Sequence, residues 1–411
     1  MAAVSLPGAE PVRLLTFTTL YPHDGLPNQG VFVENRLRHL VGTGHAVSTV
    51  LAPVPWFPLR SARFGVWSRQ ALAAAEEVRH GLRVRHPRFV VIPKLGMSMA
   101  PMLLYAAAAA ALGSMLRRGL QVDVIDAHYV YPDGVAAVML GRRFRLPVVM
   151  TARGSDVTQL PDYAGPRRMI RWAMAHADGM VSVSAGLRRA MVALGAAPER
   201  VRVLRNGIDL GLFRPPGDRA ALRAELGVTG PTLVSVGNLI ERKRNHLTIG
   251  ALPHLPEWSL LLVGDGPERG RLEALAAGLG LADRVRFVGA QPHATLPRFY
   301  GAADAMVLAS SREGWANVLL ESMASGTPVV ASDIEGNDEV VQGRAAGLII
   351  GENSADGIAG GVRALWADPP DRAAVRAYAE GFDWDATSAG QIEVFADARA
   401  RFAARAAGRT T

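Results

Sequence analysis

The most informative stretch of the chain is Ser310–Ala331, which reads SSREGWANVLLESMASGTPVVA. A strand is predicted to end near Leu308, and a short loop separates it from a helix that begins at about Asn317. The Gly-Thr-Pro turn at residues 326–328 then leads into the next apolar strand. An alternation of strand, loop, helix and strand predicts a parallel sheet that is covered by helices on both faces.

The same alternation occurs on both sides of one turn-rich stretch, Asn206–Gly217. Strands are predicted before it at Val12–Phe17, Ala46–Leu51, Val122–Ile125, Pro147–Met150 and Gly179–Val183, and after it at Thr232–Val236, Ser259–Val263, Val285–Val288, Ala305–Leu308 and Pro328–Ala331. We therefore predict an α/β fold of two doubly wound, Rossmann-like domains, residues 1–210 and 211–385, followed by a helix within 386–411. Such sheets bind ligands beyond the carboxyl ends of their strands, so the expected site is a cleft between facing domains.

The composition excludes cysteine chemistry and narrows the choice of charged partner. The 411 residues include no cysteine, which rules out disulfides, thiolate metal sites and a cysteine nucleophile. The net charge is +8, and only two of the 45 basic residues, Lys94 and Lys243, are lysines. A basic surface favours polyanions such as nucleic acid, anionic lipid or a nucleoside diphosphate. Because no run of five basic residues occurs, nucleic acid is the weakest of these candidates.

The sequence favours a cytoplasmic protein. Residues 1–11 lack the charged and apolar regions of a signal peptide. The most apolar stretch, Met97–Leu116, is rich in alanine and close to the lower length limit for a membrane span. A buried or interfacial helix is therefore expected there, and not a transmembrane helix.

Two carboxylates stand eight residues apart in the first stretch, Glu313 in the loop and Glu321 in the helix. The free N–H groups at the N-terminus of this helix suit a phosphate group. Glu321 is placed to accept hydrogen bonds from ribose hydroxyls, and Glu313 lies where the sugar end of the same ligand is expected. Taken alone, Glu321 would be interpreted as a solvated surface side chain, but the whole stretch would not.

This stretch closely resembles the E-x7-E signature of the retaining glycosyltransferases of family 4, which have the GT-B fold. Similar motifs occur along the chain in the family's order: Val183–Gly186, Asn206–Asp209 with Phe213, Val236–Lys243, Leu262–Pro267 and Val288–Gly289. Thr18–Pro22 and Gly30–Val33 look like the branch that assembles cell-wall and exopolysaccharides. The resemblance covers nearly the whole chain, and it implies that the final helix crosses back to the N-terminal domain.

The resemblance implies a hexosyltransferase that moves a sugar from a UDP- or GDP-linked donor to a cell-surface glycan or its lipid-linked precursor. It implies retention of anomeric configuration and no cofactor. The candidate catalytic residues are Glu313, Lys243 and Arg153. Donor-binding residues are expected at Gly30, Gly237, Asn238, Arg242, Lys243, Gly264, Val288, Glu313, Asn317, Val318, Leu319 and Glu321.

Lys243 also stands out by its residue type. Where arginine has replaced nearly every lysine, a remaining lysine indicates that a compact ammonium is needed. Lys243 follows a predicted strand, where its charge would stabilise a departing diphosphate. Chance is the alternative, as Lys94 illustrates. Gly30, which opens a predicted helix, is either a glycine that lets a phosphate or sugar approach or an ordinary turn glycine.

Two positions depart from the family pattern. Asn238 stands where the family usually has Arg, so Arg242 or Arg244 is expected to supply the second positive charge. Arg153 stands where the family commonly has a His that faces the transferred sugar. A guanidinium does not act as a base at neutral pH, so Arg153 either binds the donor or an anionic acceptor, or forms a structural ion pair with Asp156.

His128 and Asp156 are the remaining candidates on the acceptor side, although a lone His is more often structural. The stretch Asp383–Asp385 has the spacing of a metal-binding D-x-D motif. Its position beside the last helix fits the family's interdomain crossover instead. No metal site is therefore expected, and the enzyme is predicted to work without metal.

Two other functions remain open. A nucleotide-sugar epimerase or hydrolase would use the same scaffold, because a fold does not fix a function. Donor turnover without any acceptor would indicate such an enzyme. A non-catalytic nucleotide-sugar-binding partner would explain Arg153 and Asn238 as traces of lost activity, but the presence of Glu313, Lys243 and Glu321 argues against it.

The segment Trp56–Arg69, WFPLRSARFGVWSR, interleaves aromatic residues with arginines. This mixture is typical of interfacial membrane anchors. We therefore predict that the N-terminal domain docks reversibly on anionic lipid at the inner face of the cell membrane, with Met97–Leu116 near the acceptor entrance. The alternative is that the aromatic rings belong to the core and the arginines form a solvated rim.

Overall fold

A computed structural model describes residues 10–59, 61–91 and 96–407. The signal-peptide interpretation rests largely on residues 1–9, which lie outside the described residues. So do Arg60 and Lys94. The chain forms two compact units. The described residues of Met1–Arg205 and Trp384–Thr411 make up the first unit, and Asn206–Asp383 make up the second.

The first unit is built on an eight-stranded sheet. The strands of this unit, which include the separate pair β3 and β6, are β1 (Val12–Phe17), β2 (Ala46–Leu51), β3 (Val54–Pro55), β4 (Glu76–Arg79), β5 (Leu82–Arg85), β6 (Arg88–Phe89), β7 (Val124–His128), β8 (Val148–Ala152), β9 (Gly179–Ser182) and β10 (Val201–Val203). Its helices are α1 (Val31–Gly42), α2 (Val66–Gln70), α3 (Gly96–Arg117), α4 (Val135–Phe144), α5 (Ser155–Thr158), α6 (Ala164–His176), α7 (Ala185–Ala193) and, from the end of the chain, α15 (Asp385–Ala407).

The strand order of this sheet is β10-β9-β8-β7-β1-β2-β5-β4, while β3 and β6 pair separately. Neighbouring strands are parallel except β4 and β5, which form an antiparallel hairpin at the edge. The prediction of a parallel sheet therefore holds for the other neighbouring strands and was wrong at this edge. His80 and Gly81 make the turn with φ angles of 48° and 80°, the left-handed pair that a two-residue hairpin requires.

The last helix, α15, packs on the first unit. Val394, Phe395 and Ala398 join the core that fills the space between α1 and the central strands. Arg401 donates a hydrogen bond of 3.0 Å to the carbonyl of Asp178, and Arg405 forms an ion pair with its carboxylate. Apolar burial and these two polar contacts hold the C-terminal helix against the N-terminal sheet, as the resemblance implied.

The second unit is built on a six-stranded parallel sheet. Its strands are β11 (Thr232–Val236), β12 (Ser259–Val263), β13 (Val285–Gly289), β14 (Ala305–Leu308), β15 (Val329–Ser332) and β16 (Gly347–Ile350). Its helices are α8 (Arg219–Glu225), α9 (Asn245–Ala251), α10 (Arg269–Gly278), α11 (Leu296–Ala302), α12 (Asn317–Ala324), α13 (Ala355–Ala367) and α14 (Arg372–Glu380).

The order of the second sheet is β13-β12-β11-β14-β15-β16. The chain starts in the middle at β11, builds outward to β13, and then returns to β14 on the other side of β11. The connections that leave β11 and β14 therefore run in opposite directions across the sheet, and open α/β sheets bind ligands at the carboxyl edge beside such a reversal. In the first sheet the same reversal lies between β1 and β7.

Helix α3 contains the most apolar stretch of the sequence. Within the described ranges it is the one helix, over Met97–Arg117, whose length and mean hydropathy of 1.6 would suffice to cross a membrane. Leu104, Ala108 and Leu112 recur at helical spacing and are fully buried. Only 28 % of the apolar window is buried, so a large part of this helix faces away from the core of its unit.

Candidate functional site

Two glycines shape the carboxyl edge of the second sheet beside its reversal of strand order. Gly237 follows β11 with a φ angle of 143°, and Gly264 follows β12 with a φ angle of 152°. A Cβ atom at Gly264 would lie 1.9 Å from the carbonyl oxygen of Gly237, so the close approach of these loops requires glycine. A Cβ at Gly237 would lie 3.4 Å from Cε of Lys243. The lysine side chain therefore passes directly over the first glycine, and the adjacent Asn238 is exposed.

The cations of the loop after β11 meet the carboxylate of the loop after β14. Lys243 Nζ lies 2.8 Å from Oε1 of Glu313, and Arg242 Nη1 lies 3.0 Å from Oε2. Ser310 donates a further hydrogen bond of 2.7 Å to Oε1. Burial favours the neutral form of Glu313, but the two cations and the hydrogen bonds outweigh it and lower its pKa. Three residues that the sequence singled out thus form one charged cluster.

Glu321 is a buried and oriented carboxylate. It lies on α12 with 7 % of its surface exposed, and both of its oxygens have protein partners. His293 Nε2 lies 3.1 Å from Oε1. The hydroxyl of Tyr300, a fully buried residue, donates a 2.9 Å hydrogen bond to Oε2. Burial, with the adjacent carboxylate, raises the pKa of Tyr300 well above its usual value. The alternative of a solvated surface glutamate is therefore wrong.

The remaining donor candidates of the second unit line the same carboxyl edge. Helix α12 begins at Asn317 without a side-chain cap. Asn317 accepts a 3.1 Å hydrogen bond from the side chain of Asn206, and Val318 and Leu319 continue the first turn. Val288 lies in the last part of β13, whose final residue accepts a 2.9 Å hydrogen bond from the N–H of Gly264.

Arg153 and His128 lie together at the carboxyl edge of the first sheet. Arg153 Nη2 lies 2.7 Å from His128 Nδ1, and His128 Nε2 lies 3.1 Å from Oδ2 of Asp126. The guanidinium also lies over the ring of Phe32, 5.3 Å from its centroid. A guanidinium only donates, so His128 accepts at Nδ1 and carries its proton on Nε2. Burial lowers the pKa of His128, which keeps the imidazole neutral, so it links Arg153 to a buried carboxylate.

Asp156 organises the backbone beside Arg153. Its carboxylate accepts hydrogen bonds from the N–H groups of Val130 at 2.7 Å, Gly154 at 2.7 Å and Arg153 at 3.1 Å. Burial nevertheless raises the pKa of Asp156. The carboxylate therefore fixes the turn after β8 through main-chain contacts, which is a positioning role.

The loop after β1 is tied to the turn Val130–Gly134 that follows β7. Asp133 in this turn is fully buried and accepts hydrogen bonds from the N–H and, at 3.1 Å, the hydroxyl of Thr19. Burial raises the pKa of Asp133 to about 7. The same loop ends at Gly30, where φ is 70° and a Cβ would lie 2.1 Å from the carbonyl oxygen of Leu20. Turn geometry alone therefore requires this glycine.

The D-x-D stretch anchors α15. Trp384 is buried and stacks on His39 with ring centroids 5.2 Å apart, and Asp385 begins the helix. Within residues 10–59, 61–91 and 96–407, no three His, Asp or Glu side chains form a group that would hold a metal ion. Sequence reasoning did not select Asp133, His293 or Tyr300, since their roles depend on packing between distant segments.

Two family models match the chain. Residues 29–212 match the model described as Glycosyltransferase Family 4, and residues 218–382 match the model described as Glycosyl transferases group 1. The D-inositol 3-phosphate glycosyltransferase of Acidothermus cellulolyticus is 32 % identical over 81 % of this chain and 80 % of its own. The putative teichuronic acid biosynthesis glycosyltransferase TuaC of Bacillus subtilis is 28 % identical over 85 % of this chain and 87 % of its own.

Solved structures share the architecture. Sucrose-phosphate synthase from Thermosynechococcus elongatus is similar over 96 % of this chain and 100 % of its own, with a TM-score of 0.76 and 21 % identity. HepE from Anabaena, solved in complex with UDP and glucose, is similar over 93 % of this chain and 98 % of its own, with a TM-score of 0.71 and 21 % identity. At this identity the likeness shows the fold alone.

Proposed function

We propose that this chain, which belongs to family 4 of the glycosyltransferases and has the GT-B fold, transfers a sugar from a nucleoside diphosphate sugar to a cell-surface glycan or its lipid-linked precursor. Its relatives are named for D-inositol 3-phosphate, teichuronic acid and the lipopolysaccharide core, and HepE was also solved with UDP-glucose. These names support a glycan-building role and make UDP-linked sugars the first donors to test.

The observation that carries the proposal is the cluster of Lys243, Arg242 and Glu313 at the strand-order reversal of the second sheet. The two cations are placed to bind the donor diphosphate beside the N-terminus of α12. Glu321 is placed to accept hydrogen bonds from the ribose. Gly237 and Gly264 let the loops after β11 and β12 approach each other closely, which brings the Lys243 side chain over the carboxyl edge of the sheet. Val288 and the end of β13 are assigned to the nucleobase side.

The reaction in this proposal retains the anomeric configuration. The bond between the anomeric carbon and the diphosphate oxygen breaks while the acceptor oxygen attacks from the same face. The acceptor proton passes to the departing diphosphate, so no covalent glycosyl-enzyme is needed. Lys243 and Arg242 stabilise the negative charge that develops on the leaving group. Arg153, ordered by His128 and Phe32, binds the donor sugar or an anionic acceptor and is not a base.

The acceptor side is proposed to dock on a membrane. The first unit exposes large apolar side chains on either side of β6, namely Trp56, Leu59, Trp67, Val90, Met97, Met99, Met102 and Tyr163. We call this set the apolar surface. The segment that carries Trp56 is joined to β6, because the N–H of Trp56 donates a 2.7 Å hydrogen bond to the carbonyl of Phe89. Strand β6 in turn packs against α3, which carries the exposed methionines. Exposed Arg63 and Arg69 add positive charge for anionic headgroups.

A thermal-shift screen with UDP, GDP, ADP and their sugars tests the proposed donor. A nucleotide present at about one hundred times its Kd stabilises the fold by about 2.7 kcal/mol, enough to rank the three bases. The stabilising donor is then incubated with glycan and lipid-linked acceptors, and the anomeric configuration of the product is read by NMR. Stabilisation by none of the nucleotides would contradict the proposal. Donor turnover without an acceptor would indicate an epimerase or hydrolase, and binding without turnover a non-catalytic partner.

A further inference from the structure

We propose that His293 is a positioning residue of the donor site, which holds the carboxylate of Glu321 in the orientation that binds the ribose. This inference rests on the proposed function, because it takes Glu321 as the ribose-binding group. His293 begins a 3₁₀ turn, His293–Thr295, between β13 and α11. No motif of the sequence analysis contains it. The turn follows the loop assigned to the nucleobase, so His293 connects the nucleobase side of the site with the ribose side.

The geometry fixes the plane of the Glu321 carboxylate. His293 contacts Oε1 at 3.1 Å and Tyr300 donates to Oε2 at 2.9 Å, so each oxygen is held from a different element. An ionised carboxylate only accepts, and its two oxygens together accept about four hydrogen bonds. One position on each oxygen therefore stays available for a hydroxyl of the ligand. A side chain held in this way loses little conformational entropy when the ligand binds.

The imidazole is itself held in place. The ring of Phe213 meets it edge to face with centroids 5.2 Å apart, and the same ring lies 6.2 Å from that of Tyr300. Phe213 is buried, so this aromatic group forms a rigid wall behind the carboxylate. The two donors differ in access. The His293 side chain is 23 % exposed, whereas Tyr300 is fully buried. His293 therefore stands on the solvent side of Glu321, where a ligand arrives.

A second histidine of the same unit provides a matched control. His254 Nε2 lies 3.3 Å from Oδ1 of Asp356, so it too pairs with a carboxylate. Both of these side chains are largely exposed, and neither belongs to the donor candidates. If removing a histidine–carboxylate contact affected the protein only through general stability, His254→Ala and His293→Ala would have similar effects on ligand binding.

The test compares nucleoside diphosphates with and without ribose hydroxyls. The full chain is titrated calorimetrically with UDP, GDP or ADP, whichever stabilises it most, and with the 2′-deoxy and 3′-deoxy forms of that nucleotide. We expect the wild type to bind the ribonucleotide at least about tenfold more tightly than one of the deoxy forms, as hydrogen bonds to a charged group predict. In His293→Ala this preference falls to about threefold or less, and the donor KM rises while kcat changes little.

Three further variants separate the hydrogen bond from packing. His293→Phe keeps an aromatic ring against Phe213 without the donor, and it also serves if His293→Ala does not fold; its ribose preference is expected to fall. His293→Gln retains an amide donor and is expected to restore most of the preference. His254→Ala is expected to match the wild type. Undiminished ribose preference in both His293→Ala and His293→Phe would overturn the inference.

Glu321→Ala distinguishes a wrong role for His293 from a wrong assignment of Glu321 to the ribose. Loss of ribose preference in Glu321→Ala, together with full preference in His293→Ala and His293→Phe, overturns only the role of His293. Full preference in Glu321→Ala overturns the assignment of Glu321 to the ribose and, with it, the donor site on which the inference rests. Loss of preference in Glu321→Ala and in both His293 variants supports the inference.

Discussion

Lys243 is the residue at which sequence and structure agree most closely. It is one of two lysines in the chain, and its Nζ atom lies 2.8 Å from the largely shielded carboxylate of Glu313 at the carboxyl edge of the second sheet. We expect Lys243→Ala to lower kcat by about 10²- to 10³-fold, the loss found when a group that stabilises developing negative charge is removed. Steady-state kinetics with the donor measures the loss.

The matched control is Arg298→Ala, which removes a cation from an exposed ion pair with Glu225 in the same unit. Such a surface pair contributes little to stability, so activity should stay within about twofold of the wild type. Near-normal kcat in Lys243→Ala would show that this ammonium does not act on the leaving group.

Asp133 gives a prediction on pH dependence. The folded protein binds its proton more tightly than the unfolded chain does, because burial raises the pKa from 3.8 to about 7. The stability contributed by protonated Asp133 is therefore lost as the pH rises from about 4 through about 7, by at most about 4 kcal/mol. Asp133→Asn removes this titration. We expect the variant to gain thermal stability relative to the wild type between about pH 5 and about pH 8.

Asp123→Asn is the control for this comparison. Hydrogen bonds from Arg13 lower the pKa of Asp123, so it is ionised in both the folded and unfolded states over the same pH window. The difference between Asp123→Asn and the wild type should therefore not change with pH there. If the difference between Asp133→Asn and the wild type is equally constant, Asp133 does not titrate near neutrality in the folded protein.

Local sequence identifies a residue only when its neighbours along the chain define its role. Glu313 and Glu321 belong to one continuous pattern, and Lys243 is marked by its type and by the strand before it. His293, Tyr300 and Asp133 carry no such mark. Their positions are fixed by contacts with residues far away in the sequence, and the pKa of Asp133 follows from desolvation that only the folded structure creates.

The edge strands β10 and β16 were not predicted. The central strands were predicted well because both faces of their sheet are covered, which makes them short, continuous apolar runs. The hairpin β4–β5 was missed for the opposite reason. Its strands read EEVR and LRVR, and they lie at the edge, where charged side chains face solvent. The turn between them is His-Gly, which lacks the Asn-Gly or Asp-Gly pair that usually marks a two-residue hairpin.

Helix α3 and the neighbouring segment give the prediction on membrane binding. Trp56 is 55 % exposed and Trp67 is 41 % exposed, so for these two rings the alternative of a core position is wrong. We expect the protein to sediment with vesicles of anionic lipid, more weakly at high salt because the charges are screened. The double variant Trp56→Ser, Trp67→Ser should lower this binding by at least about tenfold, since each indole buries apolar area in the interface.

Trp366→Ser is the matched control, because this indole is 47 % exposed, belongs to the second unit and is not part of the apolar surface. It should bind vesicles as the wild type does. Equal and negligible sedimentation with neutral and anionic vesicles at low salt would contradict membrane docking and leave an enzyme with a water-soluble acceptor.

The whole chain repeats one architectural plan, and this repetition made the fold predictable. Apolar strands alternate with helices before and after Asn206–Gly217, which predicts two sheets and not one. The boundaries of the units, after Arg205 and after Asp383, fall slightly earlier than predicted. No composition change marks them, because the division depends on which sheet each segment packs against.

Metal independence is a prediction about the reaction as a whole. In the proposed mechanism Lys243 and Arg242 neutralise the leaving diphosphate, a task that bound metal ions perform in other transferases. Activity measured in excess EDTA should therefore stay within about twofold of that of the untreated enzyme. A loss that Mg²⁺ or Mn²⁺ restores would show that the two side chains do not suffice.

The most direct test of the proposed donor site is a calorimetric titration of the stabilising nucleoside diphosphate into the wild type and into Glu321→Ala. The buried, doubly held carboxylate is proposed to accept hydrogen bonds from the ribose. Its removal should therefore weaken binding by about 1.5–3 kcal/mol, roughly a 10- to 150-fold rise in Kd. An unchanged Kd in a variant that keeps the wild-type unfolding temperature would contradict a donor site in the second unit.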